Sequence, residues 1–445
     1  MIKINDKKDC CGCNACGDVC AHKAITFKTD IEGFWYPEVD IEKCTACGLC
    51  EKVCPQIHYK ELKKNEYEQP KCFAAVHKNL EVRFDSTSGG LFSAFAEQIL
   101  KEGGFVGGAQ YTNDLYVEQI LISEKKELYK LRGSKYLQSD FNGFYKAVKQ
   151  ALVDGKKVLL CGSPCQMAAL RNFLRKDYEN LYILDYICRG IPSGMIFHKY
   201  IQYWEKRIGS KVTYFKFKIK DLGWRKRTMK IGFKNGKYVY DDCKHSLYDK
   251  GYHITHAFCR PSCYDCKFIG FPRIADITIA DFWGIENLNL SLELDRDMGT
   301  SIVMCNNSRG LSLFNKLSSK LVVADVPFES ILAGNPALVT PHPQPIIDRE
   351  EFYERINNEE FDLVINDIIE SNVPQYSTKQ RIKELIRPIY NLLRKHYRIL
   401  RLGIGPYINC YRYNFCFLII LYLNPFFILI ISIFMFNDVL FRLPT

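Results

Sequence analysis

The pattern of apolar and polar positions divides the chain into four stretches. Residues 1–60 lack long apolar periodic runs, and "ELKKNEYEQ" at 61–69 reads as a polar linker. From about 70 to 345, strand-like and helix-like segments alternate, which favours an α/β arrangement. Beyond 346 the chain turns charged and helical, then basic, then strongly apolar. In the α/β stretch, "KVLLCGSPCQMAALRNFLRK" predicts a buried strand, a tight turn and a helix. Pro164 suits that helix's first turn, and Met167, Leu170 and Leu174 share one face. "NLYILDYICRGIPSGMIFHKYIQYW" repeats the layout, with a helix beginning near Pro192. Two such units in succession predict neighbouring parallel strands with loops at their carboxyl ends, where ligands usually bind. "MKIGFKNGKYVY" predicts a hairpin turning through Asn235-Gly236 in a type I′ turn. "AITFKTDIEGFWYPEVDIEK" predicts another near the N-terminus.

Cysteine changes this picture. The chain has 445 residues, enough for two or three domains, and 20 of them are cysteines, bunched rather than scattered. It opens "MIKINDKKDC", with no apolar run behind a basic leader, so no secretory signal and no disulfide framework are expected. Reduced thiols at close spacing favour metal ligation. The net charge of +11 is concentrated: nine Lys/Arg and one Glu between Lys379 and Arg412 supply +8 of it. The remainder is close to neutral, so no nucleic-acid groove is expected.

Cys10, Cys13, Cys16 and Cys20 follow C-x2-C-x2-C-x3-C, and Cys44, Cys47, Cys50 and Cys54 repeat the spacing, with Pro55 after the last. This is the signature of bacterial two-cluster ferredoxins, in which the fourth cysteine of each run ligates the other run's cluster. One [4Fe–4S] cluster is thus assigned to Cys10, Cys13, Cys16 and Cys54, the other to Cys44, Cys47, Cys50 and Cys20. Structural zinc asks for thiol pairs at looser spacing. Ala21 stands where the first run would carry proline, and Cys11 is surplus. A third group, Cys259, Cys263 and Cys266 in "FCRPSCYDC", admits three readings: another [4Fe–4S] cluster closed by a distant cysteine, a radical S-adenosylmethionine centre, or structural zinc. The radical reading is weakened by Asp265, which stands where an aromatic residue usually precedes the third cysteine.

"TSGGLFSAFAEQIL" from Thr87, "RGSKYLQS" from Arg132, "CGSPCQMAAL" from Cys161, "ICRGIPSG" from Ile187, "FCRPSCYDC" and "ADITIADFWG" from Ala275 occur in that order. Together, over residues 8 to 340, they resemble the β subunit of hydrogenases and dehydrogenases that use the 8-hydroxy-5-deazaflavin coenzyme. Relatives include ferredoxin-dependent reductases of chlorophyll intermediates, and ferredoxin-fused bacterial versions occur beside polysaccharide pyruvyl-transferase genes. The resemblance implies FAD, iron–sulfur clusters and transfer between one-electron carriers and a two-electron acceptor. It makes Cys259, Cys263 and Cys266 ligands of a third [4Fe–4S] cluster, with Cys188 the expected fourth and Cys165 the other candidate.

For the flavin, the resemblance points to Ser88, Gly89 and Gly90 at a helix start, where free N–H groups and a positive dipole end can meet a pyrophosphate. The helix would have Phe92, Phe95 and Ile99 on one face. Ser134, Lys135 and Tyr136 follow, Lys135 being able to stabilise negative charge beside a reduced flavin. Gly162, Pro164 and Gln166 form another strand-to-helix turn, and Asp281 ends a predicted strand. No G-x-G-x-x-G follows a strand, so a nicotinamide site is not expected.

"FCFLIILYLNPFFILIISIFMF", Phe415 to Phe436, is 22 residues without a charge, long enough to span a bilayer, with Asn424-Pro425 kinking its middle. The basic stretch before it would face the cytoplasm. An anchor on the inner face of the cell membrane is expected; an interfacial hairpin or a buried helix pair are the alternatives. The expected architecture is a two-[4Fe–4S] ferredoxin-like domain (1–60), a mixed α/β FAD and iron–sulfur domain (70–345), a helical basic region (346–414) and the apolar tail (415–436). The expected function is that of a cytoplasmic oxidoreductase passing electrons from ferredoxin or another redox protein to a small-molecule two-electron acceptor. An electron-transfer subunit without a substrate pocket, or a radical enzyme, are the alternatives.

Overall fold

In the computed structural model, residues 1–372 are described apart from 63, 64, 292 and 295, and they fall in one compact unit that ends at Val373. Fourteen strands run along these residues in chain order. β1 is Ile25–Thr29, β2 Trp35–Val39, β3 Lys71–His77, β4 Phe105–Tyr111, β5 Val117–Ile122, β6 Ser139–Asp140 and β7 Val158–Gly162. They continue as β8 Leu181–Tyr186, β9 Val212–Ile219, β10 Thr228–Phe233, β11 Tyr238–Asp241, β12 Ile277–Asp281, β13 Ser301–Cys305 and β14 Leu321–Asp325.

Nine of these form one mixed sheet in the order β14-β3-β13-β12-β8-β7-β4-β5-β6. Its middle, β12-β8-β7-β4, is parallel, and the two strand–turn–helix units read from the sequence are adjacent there. Their helices are Pro164–Leu174 and Gly194–Ile208, the second starting two residues after Pro192. Val158 and Leu160 of β7 point to one face, against the helices Phe144–Val153 and Pro164–Leu174. Leu159 points to the other, against the helix Leu91–Lys101. A parallel strand covered on both faces reads as a continuous apolar run, which is why "VLL" alternates nothing.

The segment 1–60 contains the antiparallel pair β1–β2. Asp18 of this segment is buried and caps the helix Phe144–Val153, its carboxylate accepting from the N–H groups of Gly143 at 2.6 Å and Tyr145 at 3.0 Å. Tyr145 donates its hydroxyl to Cys13 O at 2.8 Å. On the far side, Glu32 takes a two-pronged ion pair from Arg349 (3.1 and 2.7 Å), at the start of the helix Arg349–Asn358.

A second sheet, β11-β10-β9, is antiparallel and packs with the helices Gly194–Ile208, Leu247–Thr255 and Phe361–Asn372 around a third core. The β10–β11 hairpin is where the sequence placed it, but its turn is not type I′. Gly236 has φ +81°, whereas Asn235 does not have positive φ, and the Gly236 N–H closes onto Phe233 O at 2.9 Å. This is a tighter turn followed by one left-handed glycine, which hairpins of three-residue loops use. In the charged stretch beyond 346, helices run over Arg349–Asn358 and Phe361–Asn372. The basic stretch and the apolar segment 415–436 lie outside the described residues. Among the described residues no helix is long and apolar enough to cross a membrane.

Candidate functional site: thiol centres beside a large cavity

The two N-terminal cysteine runs fold alike. Gly12 and Asn14 in the first have φ of +70° and +63°, and Ala46 and Gly48 in the second +57° and +70°. Two left-handed residues at matching places curl each loop, and a short helix follows each, Ala15–Val19 and Leu49–Lys52. Alanine at positive φ is strained, and strain of this kind is kept where a site demands it. Cys16 faces Cys13, Cys10 and Cys54, the set that the crossed-ligand rule assigns to one cluster. Burial pushes the Cys54 thiol up to about 12, with the neighbouring Cys13 adding to it. Buried thiols this reluctant to ionise become thiolates in exchange for a metal. In the other set, Cys20 and Cys50 accept N–H groups from Ala24 and Ile2, each at 3.3 Å, and Cys47 is exposed.

The third group sits at the carboxyl ends of β7 and β8. Cys165, Cys188, Cys263 and Cys266, with Cys11, line a cavity of about 40 Å³. Cys263 accepts the Ile191 N–H at 3.3 Å. Burial pushes Cys263 up to about 12 and Cys266 up to about 11. Cys165 is drawn down to about 7, chiefly by its contact with Cys11. Cys259 does not line this cavity: it pairs with Pro192 in a single antiparallel bridge, and its sulfur fills the space beside Gly190. Among the described residues no three His, Cys, Asp or Glu side chains close on a single ion; a cluster, whose cysteines each hold a different iron, asks for wider spacing.

A second cavity, of about 550 Å³, opens along the same sheet edge. Ser88, Gly90, Ser134, Lys135, Tyr136, Gly162, Gln166 and Asp281, all read from the sequence, line it. Gly89 and Pro164 do not. Gly89 lies against β3 and β13, where a Cβ would come within 2.4 Å of Ala75 O, and Pro164 lines the thiol cavity instead. Gly90 (φ +89°) does begin the helix Leu91–Lys101, whose Phe95 and Ile99 are buried while Phe92 faces the cavity. Cys188, Gly190, Ile191 and Ala337 line both cavities, so the wall between them is made by the turn at Cys188–Ile191 together with Ala337.

Burial lowers the Lys135 amine to about 7, with Lys216 adding to it, and the amine donates to Lys130 O at 2.9 Å. Asp281, at the end of β12, pairs with Lys218 at 2.7 Å. The Lys218 ammonium lies 5.2 Å over the Tyr136 ring and 5.5 Å over that of Trp283. Sequence reasoning missed Lys218, Trp283, Arg227 and His253, which line the cavity from β9, from loops and from the helix Leu247–Thr255. Their only sequence signal was Trp283 in "ADFWG".

Comparison with known proteins adds to this geometry. Residues 9–56 match the 4Fe-4S dicluster domain, and residues 155–329 match the family described as the C terminus of the coenzyme F420 hydrogenase/dehydrogenase beta subunit. The chain is 25% identical over 195 residues to the coenzyme F420-dependent sulfite reductase of Methanocaldococcus jannaschii, covering 43% of this chain and 29% of that protein. It is 23% identical over 185 residues to one subunit of the F(420)H(2) dehydrogenase of Methanosarcina mazei, covering 39% of this chain and 51% of that one. The N-terminal 56-residue match to the ferredoxin-type protein NapF of Haemophilus influenzae is 39% identical, covering 12% of this chain and 32% of that one. A chain of the F420-reducing [NiFe] hydrogenase complex of Methanosarcina barkeri superposes with a TM-score of 0.42 at 17% identity, over 68% of this chain and 95% of that one. The chain spans about half the length of the dehydrogenase subunit and under a third of the sulfite reductase.

The cysteine spacing, the thiol geometry and the dicluster match together define an iron–sulfur protein. Its central segment, 155–329, carries the domain described as the C terminus of the coenzyme F420 hydrogenase/dehydrogenase beta subunit, here behind a 4Fe-4S dicluster domain.

Proposed function

We propose that the chain carries electrons through three [4Fe–4S] centres to an FAD in the 550 Å³ cavity and delivers them to a two-electron acceptor. The observation that carries this reading is that Cys188, Gly190, Ile191 and Ala337 line both the thiol cavity and the large cavity. Flavin chemistry joins one-electron carriers to two-electron acceptors. The chain's own residues do the rest. Cys165, Cys188, Cys263 and Cys266 hold the third centre, and Cys259 supports the Gly190 turn from behind. Gly90 and Ser88 present backbone to the phosphates. Tyr136, Trp283 and Lys218 shape the ring's surroundings, and Lys135 holds a proton or a charge beside it.

Cys20, Cys44, Cys47 and Cys50 would hold a centre at the surface, where the exposed Cys47 would let it take electrons from a ferredoxin-like donor. Cys10, Cys13, Cys16 and Cys54 would hold an inner centre that could relay them towards the third. The acceptor is the deazaflavin coenzyme or an intermediate of polysaccharide biosynthesis. Membership of a larger redox complex is the second reading, favoured by the fraction of its relatives that the chain spans. Protein purified without oxygen should hold about twelve irons and one flavin per chain. About eight irons without flavin would sink the proposal. Turnover of the deazaflavin coenzyme by the isolated chain, or only by a complex, decides between the two readings.

A further inference from the structure

Arg260, inside "FCRPSCYDC", is wholly buried, and among the described residues no carboxylate lies within ion-pair distance of it. Its guanidinium donates to three neutral acceptors: Cys10 O at 2.6 Å, Trp35 O at 3.0 Å and Gln138 Oε1 at 3.2 Å. It also stacks 4.3 Å from the Tyr36 ring centre. The acids on the nearby hairpin are engaged elsewhere, Asp30 with Lys7 at 2.6 Å and Glu32 with Arg349 at 2.7 Å. Arginine does not deprotonate in proteins, and a buried charge without a partner is costly enough that proteins rarely keep one. A negative charge must therefore stand beside it when the protein is assembled.

The position of Arg260 says which charge. Its backbone belongs to the third thiol group: its N–H donates to Ile191 O and its C=O accepts from the Cys263 N–H, both at 2.9 Å. Its side chain belongs to the first cysteine run. Gly12 leaves room for it, since a Cβ there would lie 2.9 Å from Nη1. One residue thus has its main chain in one thiol centre and its charge against another.

We propose that Arg260 is the counter-charge shared by the Cys10/Cys13/Cys16/Cys54 centre and the Cys165/Cys188/Cys263/Cys266 centre, and that it holds both at higher reduction potential than the surface centre. The inference rests on the cluster reading above. Potentials of such centres follow their net charge, hydrogen bonds and exposure; a fixed cation favours the added electron. One electron leaves the surface centre as one arrives at the inner centre, and the same exchange follows from the inner to the third, with no bond or proton involved. The cation makes the first exchange downhill and leaves the second near level, because it is common to both.

The test is potentiometric titration of the full chain without oxygen, each centre followed by its electron-paramagnetic-resonance signal. In Arg260→Met the midpoints of the inner and third centres should fall by at least tenfold in the one-electron equilibrium, about 59 mV, while the surface centre stays put. Arg260→Lys should restore most of the shift. Unmoved midpoints in a fully loaded Met variant, or an equal shift of all three, would overturn the inference. If the Met variant does not load, the unaltered chain decides: the surface centre must have the lowest midpoint, and any other order overturns the proposal. A chain with only about eight irons would instead remove the cluster reading beneath it, so the two failures are distinguishable.

Discussion

At Gly190 the backbone has φ +99°, and a Cβ would lie 2.5 Å from the Cys259 sulfur and 3.5 Å from Cys263 Cβ. Gly190→Ala should therefore cost about 1–3 kcal/mol in backbone strain and displace the thiols on both sides. Lower thermal stability together with loss of third-centre iron is the expected result. Cysteine substitutions separate the ligands from their neighbours. Cys165→Ser should lose the iron of one cluster, and Cys259→Ser should keep it, iron analysis being the check; loss in both would return Cys259 to the ligand set. Lys135 carries a pH prediction. Its amine, lowered to about 7 chiefly by burial, gains a proton as pH falls through neutrality and then favours an anionic reduced ring. The flavin midpoint should show an inflection near pH 7 that Lys135→Met abolishes. A profile unchanged in the variant would remove Lys135 from the ring's surroundings.

Among the elements, the N-terminal segment is held by Asp18 capping the helix Phe144–Val153 and by Glu32 pairing with Arg349. Arg349 also donates to Ala257 O at 2.6 Å, beside the third thiol group. Glu32→Gln removes a charged, largely enclosed acceptor and should cost about 2 kcal/mol, seen as faster amide exchange confined to residues 1–60. Much at this scale was legible. The two tight cysteine runs, the β7 and β8 units and both hairpins announce themselves because their signals are local: spacing, a turn residue, an apolar run. The lid of the large cavity was not. Phe217 and Lys218 read in sequence like any alternating strand, but Lys218 has φ +49° and the β9–β10 register shifts beside it, so that both line the cavity. The Asn235-Gly236 dipeptide suggested the wrong turn because loop length, not the dipeptide alone, selects the type. Arg260 gave no signal, since a buried and an exposed arginine look alike in sequence. Cys165 entered the thiol cavity through a strand-to-helix turn far from "FCRPSCYDC" along the chain.

For the whole molecule, among the described residues every candidate ligand and every residue lining either cavity falls at or before His342. A chain ending at Asn372 should accordingly keep its full iron and flavin; loss of flavin on truncation would make the segment beyond part of the site. Under the proposed order of centres, the face around the exposed Cys47 is where a redox partner would dock.

The partition at Cys188–Ile191 has a kinetic meaning. With the proposed third centre and flavin in the two cavities, the turn between them would keep their spacing nearly fixed, and variation would be left to the encounter at the surface. The tempo of the working protein should follow the ionic strength that governs that collision, while everything behind it keeps constant time.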